Sequence, residues 1–265
     1  MQSVTTMAGG SACLKCHESH YEGKGACIDC HRGNPGTDRI VIAHHDLIVA
    51  KYAHFTMEGS PVVQRGGARV TLSGCRRCHV IGAQGNRLAT NLDRVFAAAR
   101  PQALFDAIKT PMLFMPNFCF KETHITELVN AILAEAARPE PEAGEIPLVI
   151  HFEDEKQAEE RVFGKHCGSC HKVLTTRFGG LGKEDIGPNL SGLFSEHYPT
   201  THGDKEPWSS KSLYKWLENP RHTSKNAQMP PVQLTSDAFS SLLEVLSAQT
   251  FTSHGQRRGK NDGCL

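Results

Sequence analysis

Cys13-Leu14-Lys15-Cys16-His17, Cys27-Ile28-Asp29-Cys30-His31, Cys75-Arg76-Arg77-Cys78-His79 and Cys167-Gly168-Ser169-Cys170-His171 are four copies of one pentapeptide, Cys-x-x-Cys-His. The pattern is that of covalent c-type haem attachment, in which two thiols bond to the porphyrin edge and the adjacent His ligates the iron. With 10 Cys and 15 His in 265 residues, composition alone would produce roughly 0.02 such matches. The spacing has a chemical reason. Two intervening residues set both sulfurs at the ring edge, and the next side chain swings under the metal. A zinc ribbon would converge two Cys-x-x-Cys pairs on one ion without a His after each, and a thioredoxin-like site would need one motif beside a βαβ pattern. The motifs therefore predict four haem c groups. They are held by Cys13, Cys16, Cys27, Cys30, Cys75, Cys78, Cys167 and Cys170, with His17, His31, His79 and His171 as proximal ligands.

Composition agrees with small cofactor-centred modules. Hydrophobic residues make up 39% and aromatics 7% of the chain, lean for one large core, so small haem-centred domains are expected; the expected class, mostly α with extensive loops, rests on the helical patterns given below. A formal charge of +1 gives no reason to expect nucleic acid as a partner. With eight propionates added, the loaded protein would carry roughly −7. Covalent haem is attached outside the bacterial cytoplasm, which predicts a periplasmic, cell-surface or extracellular protein. Residues 1–12 lack a basic region followed by an apolar run, so a signal peptide is read as already removed. No run of 18 apolar residues occurs, and no transmembrane span is expected. Of the two remaining cysteines, Cys119 reads as a small buried residue, and Cys264 as an exposed thiol or an intermolecular link.

The chain reads as a dihaem segment (1–58), a mono-haem domain (59–137), an acidic proline-rich linker (138–147), a second mono-haem domain (148–250) and a polar tail (251–265). The two mono-haem segments repeat each other. Leu104-Phe-Asp-Ala-Ile108-Lys-Thr-Pro111 and then Met115-Pro116 match Leu213-Tyr-Lys-Trp-Leu217-Glu-Asn-Pro220 and then Met229-Pro230. Beyond the Met the register holds: Phe120 matches Leu234, Ile125 matches Phe239, and Leu128, Val129 and Ile132 match Leu242, Leu243 and Leu246. Each copy is predicted to carry a helix stopped by Pro, a Met-Pro loop and a closing amphipathic helix. Glu153 to Phe163 reads as a further helix leading into the fourth motif, whereas no clear helix is expected before Cys75.

These residues carry a resemblance. Val162-Phe163, the motif at Cys167 to His171, Gly187-Pro188-Asn189-Leu190, Trp216-Leu217, Asn219-Pro220 and Met229-Pro230-Pro231 make residues 148–250 resemble a class I cytochrome c domain. Residues 59–137 look like a reduced version, with Gly85-Asn-Arg-Leu-Ala-Thr-Asn-Leu92 in place of Gly-Pro-Asn-Leu. Residues 1–58 resemble the compact dihaem units of multihaem respiratory cytochromes. The whole chain is similar to tetrahaem c-type cytochromes of metal- and selenite-respiring bacteria, which implies a cytochrome c-like fold.

A low-spin carrier needs a second axial ligand on each iron. Met229 is expected on the fourth, at the spacing the resemblance implies, and Met115 on the third by the internal repeat, with Met112 as its rival. For the first two, His20 and His44 are chosen from the cluster that also holds His45 and His54, which stay in reserve. His20 is expected on a helix continuing from His17, and His44 on a helical stripe with Leu47, Ile48 and Phe55. His124, His151, His166, His197, His202, His222 and His254 are read as structural or solvated. Thioether ligation raises a potential relative to two imidazoles, so two lower-potential sites would precede two higher-potential ones. The implied function is electron transport between redox partner proteins, other multihaem cytochromes among them, with no catalytic residue. Whether the protein is also an enzyme stays open, although the ligand supply weighs against it. The alternatives are a self-assembling subunit of an extracellular cytochrome filament and a haem-dependent reductase of selenite, tellurite or nitrite.

Overall fold

The computed structural model describes residues 12–21, 25–95, 100–137, 161–200 and 206–247. The described residues are mostly helical with long loops and one two-stranded sheet. None of their helices is long and apolar enough to cross a membrane. The 138–147 linker, residues 153–160 of the helix expected from Glu153 to Phe163, His151, His202, and the polar tail with His254 and Cys264 lie outside the described residues.

The chain forms two compact units. The first comprises Met1–Val70, Asp93–Pro111 and Cys119–Pro139; the second comprises Thr71–Leu92, Met112–Phe118 and Glu140–Leu265. The segment 59–137 thus contributes to both, and the third motif shares a unit with the fourth.

In the first unit, a 3-10 turn at Ala12–Lys15 is followed by α1 (Cys27–His31), α2 (Ile40–Ala43) and a 3-10 helix at Ala50–Thr56. Then come α3 (Pro61–Leu72), α4 (Pro101–Lys109) and α5 (Glu122–Ala136). Pro101 opens α4 at its first helical position, and Thr110 before Pro111 is pushed out of the helical region, which ends it. Helix α5 buries Ile125, Leu128, Val129, Ile132, Leu133 and Ala136, one continuous face. Ile125, Val129 and Leu133 meet Ile48, Tyr52, Ala53 and Phe105 in the core of this unit. Asn130 is fully buried and sews the 3-10 helix to α5: its Nδ2 donates to the Lys51 carbonyl at 2.8 Å, and its Oδ1 accepts from the Phe55 N–H at 3.1 Å.

Helix α3 corrects the expectation that no clear helix precedes Cys75. The Gly66-Gly67 pair hides it, because glycine is a poor helix former. The structure explains Gly66: a Cβ there would lie 2.0 Å from the Glu127 carbonyl oxygen of α5. Close backbone approach outweighs propensity at this position. Arg65 and Arg69, on the same side of α3, clamp the Glu127 carboxylate at 2.5 and 2.8 Å.

In the second unit, α6 (Val162–His166) leads into the fourth motif, and β1 (Val173–Thr175) pairs antiparallel with β2 (Gly179–Leu181), Val173 opposite Leu181. Helices α7 (Ser210–Glu218), α8 (Pro220–Thr223) and α9 (Ser236–Ser247) complete it. The Ser209 hydroxyl caps α7 by accepting from the Ser212 N–H. Asn219 ends α7, and its Oδ1 caps α8 by accepting from the His222 N–H. Leu242, Val245 and Leu246 of α9 pack with Phe163, Val173, Phe178, Leu181, Leu193, Leu213 and Leu217. The repeat is therefore visible as paired helices, α4 with α7 and α5 with α9, but α5 closes the core of the first unit and α9 that of the second.

Candidate functional site

Each motif folds into a single turn. Cys16 and His17 donate their N–H to the Cys13 carbonyl at 3.1 and 2.9 Å; Cys78 and His79 donate to Cys75 at 3.2 and 3.1 Å; Cys170 and His171 donate to Cys167 at 3.0 and 2.9 Å. The second motif is α1 itself. A turn of this kind places residues i and i+4 on one face, here the first Cys and the His.

Three of the four histidines are then locked through Nδ1 onto a backbone carbonyl. His31 Nδ1 donates to Ile48 O at 2.9 Å, His79 Nδ1 to Thr90 O at 2.8 Å and His171 Nδ1 to Pro188 O at 2.7 Å. A carbonyl only accepts, so Nδ1 carries the proton and Nε2 keeps a bare lone pair for a metal. The carbonyls of Ile48, Thr90 and Pro188 carry no side-chain signature, and the motif spacing misses them. An alignment of Thr90-Asn91-Leu92 on Pro188-Asn189-Leu190 would have found two. Leu92 N–H donates to Val80 O at 3.0 Å and Leu190 N–H to Lys172 O at 2.8 Å, each acceptor two residues past the second Cys of its motif. Glycines reinforce the likeness. A Cβ on Gly85 (φ 123°) would lie 2.1 Å from His79 O, and one on Gly182 (φ 86°) 2.0 Å from His171 O. Only glycine suits either place.

In the first unit the histidines come in facing pairs. His20 and His31 have ring centroids 5.6 Å apart and Nε2 atoms 3.5 Å apart. His17 and His44 have centroids 6.0 Å apart. The chain reaches these positions differently from expectation. The 3-10 turn ends at Lys15, so His20 arrives on an irregular stretch and not on a continuing helix. Helix α2 ends at Ala43, His44 caps it, and Asp46 takes a positive φ of 57°, which breaks the proposed stripe through Leu47 and Phe55. His45 is exposed and lies 3.1 Å from Asp46 Oδ2. His54 lines a cleft of about 440 Å³ together with His20, His31, Cys27 and Cys30. A second cleft of about 620 Å³ is lined by Cys13, Cys16, His17 and His44. Its walls include Leu14, Ile40, Leu47 and Val49, which are 38–69% exposed. Both volumes fall within the range of small-molecule and cofactor sites.

In the second unit the motifs sit deeper. Burial pushes the thiols of Cys75 and Cys167 up to about 11, against the pull of Arg77 and Arg76 in the first case. Burial likewise raises Cys78 and lowers His79, the Thr90 carbonyl opposing the latter. A Cβ on Gly187 would lie 2.2 Å from the His171 ring, so that loop lies flat on the imidazole. Met229 is half-buried against the core, and its sulfur accepts from Trp216 Nε1 at 3.2 Å. Met115 is half-buried, with its N–H donating to Met112 O at 3.1 Å; Met112 is 78% exposed. Cys119 is exposed at a φ of 50°, not the buried residue expected.

The donor set fits a metallated apolar plate. His20 and His31, with Nε2 atoms 3.5 Å apart, would be the nitrogens to hold such a group at the second motif. The exposed apolar walls around them are surface that a porphyrin would cover. Among the described residues no three His, Cys, Asp or Glu converge as a site for a lone ion; in the first unit the imidazoles come in twos. No protein-family model matches the chain, and no solved structure matches it.

Proposed function

We propose that the protein is an exported tetrahaem c-type cytochrome that carries electrons between redox partner proteins, with a cytochrome c-like domain around the fourth motif. The observation that carries this reading is the combination of four Cys-x-x-Cys-His turns with imidazoles whose Nδ1 protons are tied off, leaving Nε2 to ligate. Bound haem supplies one-electron chemistry at iron. The rest is done by the chain. His17 and His44 would hold the first group, and His31 and His20 the second. His79 with Met115 and His171 with Met229 would hold the third and fourth. The carbonyls of Ile48, Thr90 and Pro188 orient three proximal rings and make them better donors. Leu14, Ile40, Leu47 and Val49 line the larger cleft and would lose water by packing against a bound porphyrin. Imidazole pairs in one unit and thioether candidates in the other support a lower-potential end and a higher-potential end. Paired imidazoles at the first two motifs and a Met-Pro candidate for each of the other two favour a carrier over a reductase.

The test is mass spectrometry and alkaline-pyridine spectroscopy of protein exported by a cytochrome-maturing host, followed by potentiometry. Four covalent haems, all low-spin, are expected, and Met229→His lowers one potential and leaves three unchanged. Colourless protein, or a high-spin iron that binds cyanide without displacing a side chain, overturns the reading.

A further inference from the structure

Arg77 is one of the two residues between Cys75 and Cys78, a position that in a surface motif would face solvent. Here it is only 7% exposed. Its Nη1 donates to the carbonyl of Asn189 at 2.9 Å, and its guanidinium lies over the Tyr198 ring, 5.1 Å from the centroid. Both groups are neutral, so the cation is desolvated and its field is weakly screened. Its own carbonyl is held by Asn86 Nδ2 at 2.9 Å.

Asn189 is a junction. Its carbonyl also accepts from the Tyr198 hydroxyl at 3.1 Å, its Nδ2 donates to the Phe114 carbonyl at 2.9 Å, and its Oδ1 accepts from the Ser191 N–H at 2.9 Å. The residue before it, Pro188, supplies the carbonyl that fixes His171, and Phe114 directly precedes Met115. One buried cation thus belongs to the third motif by sequence and touches the loop that orients the proximal ring of the fourth. All these residues lie in the second unit.

We propose that Arg77 is a positioning residue shared by the third and fourth sites, one that raises the reduction potentials of both together and makes them a matched pair. This rests on the haem reading above. Reduction adds an electron to each site, and a nearby desolvated positive charge favours the reduced form. Through Asn189 the same side chain holds the Pro188 carbonyl against His171.

The experiment is spectropotentiometry of the fully loaded chain carrying Arg77→Met or Arg77→Lys. In Arg77→Met the oxidised-to-reduced ratio of the two upper sites at a fixed poise rises about tenfold, a shift of ~59 mV for a one-electron couple, while the two sites of the first unit do not move. Arg77→Lys restores the ratio to within about twofold, because it keeps the charge. If Arg77→Met changes nothing, changes all four alike, or is matched by Arg77→Lys, the proposal fails. Should both variants misfold, nitrogen-15 NMR of the wild-type protein decides. The Arg77 Nε–H resonance shifts on oxidation of either upper site, and an insensitive resonance overturns the inference. Wild-type protein without covalent haem would instead overturn the haem reading itself.

Discussion

The two units present the same pentapeptide twice each, in opposite settings. In the first, the motifs border open clefts with exposed apolar walls, and the His of each motif faces a second imidazole from the same short stretch of chain. In the second, the motifs are packed on protein: Cys167 is buried, glycines press on the His79 and His171 carbonyls, and an Arg–Asn–Tyr network fills the space beside them. The difference teaches that a motif fixes its own turn alone. What surrounds it decides whether that turn is packed into a core or left at the wall of a cleft.

The comparison can be broken most severely at the glycine crossings of the second unit. Gly182→Ala puts a Cβ 2.0 Å from His171 O at a φ of 86°. It should cost about 4 kcal/mol, read as lost cooperativity in denaturant melts and as three covalent haems in place of four. Next comes the histidine pairing of the first unit. His20→Ala removes the ring facing His31 and should open one iron of four, seen as one high-spin signal and stoichiometric cyanide binding. Unchanged low-spin spectra would transfer the role to His54, which lines the same cleft.

Asn130→Leu is smaller. It strands the Lys51 carbonyl and the Phe55 N–H inside the first unit, at about 3 kcal/mol. Hydrogen exchange should speed up around residues 50–56 and in α5, and stay unaltered around α9. The smallest effect concerns Glu127. Partial burial alone would raise its carboxyl, but Arg65 and Arg69 outweigh this and hold it below the usual carboxylate range. A lowered folded pKa means that the stabilisation is complete above the unfolded value of about 4.3 and is lost as pH falls through the folded one. Glu127→Gln should therefore cost roughly 0.5 kcal/mol at pH 7 and nothing in strong acid, measured by melts across pH. An equal cost at both ends would mean the clamp acts by packing and not by charge.

Covalent spacing is local, and so are the Pro stops at Pro111 and Pro220 and the apolar face of α5. The residues themselves determined the four Cys-x-x-Cys-His turns, the predominantly helical class, the repeated helix pairs and the pool of candidate ligands, because each depends on neighbours a few positions away. Which ring faces which, His17 with His44 and His20 with His31, was decided by tertiary structure, through an irregular segment and a positive-φ turn at Asp46 that no periodicity reports. So was the division of the internal repeat, α5 closing one core and α9 another. So were the carbonyls of Ile48, Thr90 and Pro188 and the burial of Arg77, since a backbone oxygen has no letter of its own and a charge becomes a buried charge only when distant chain folds over it.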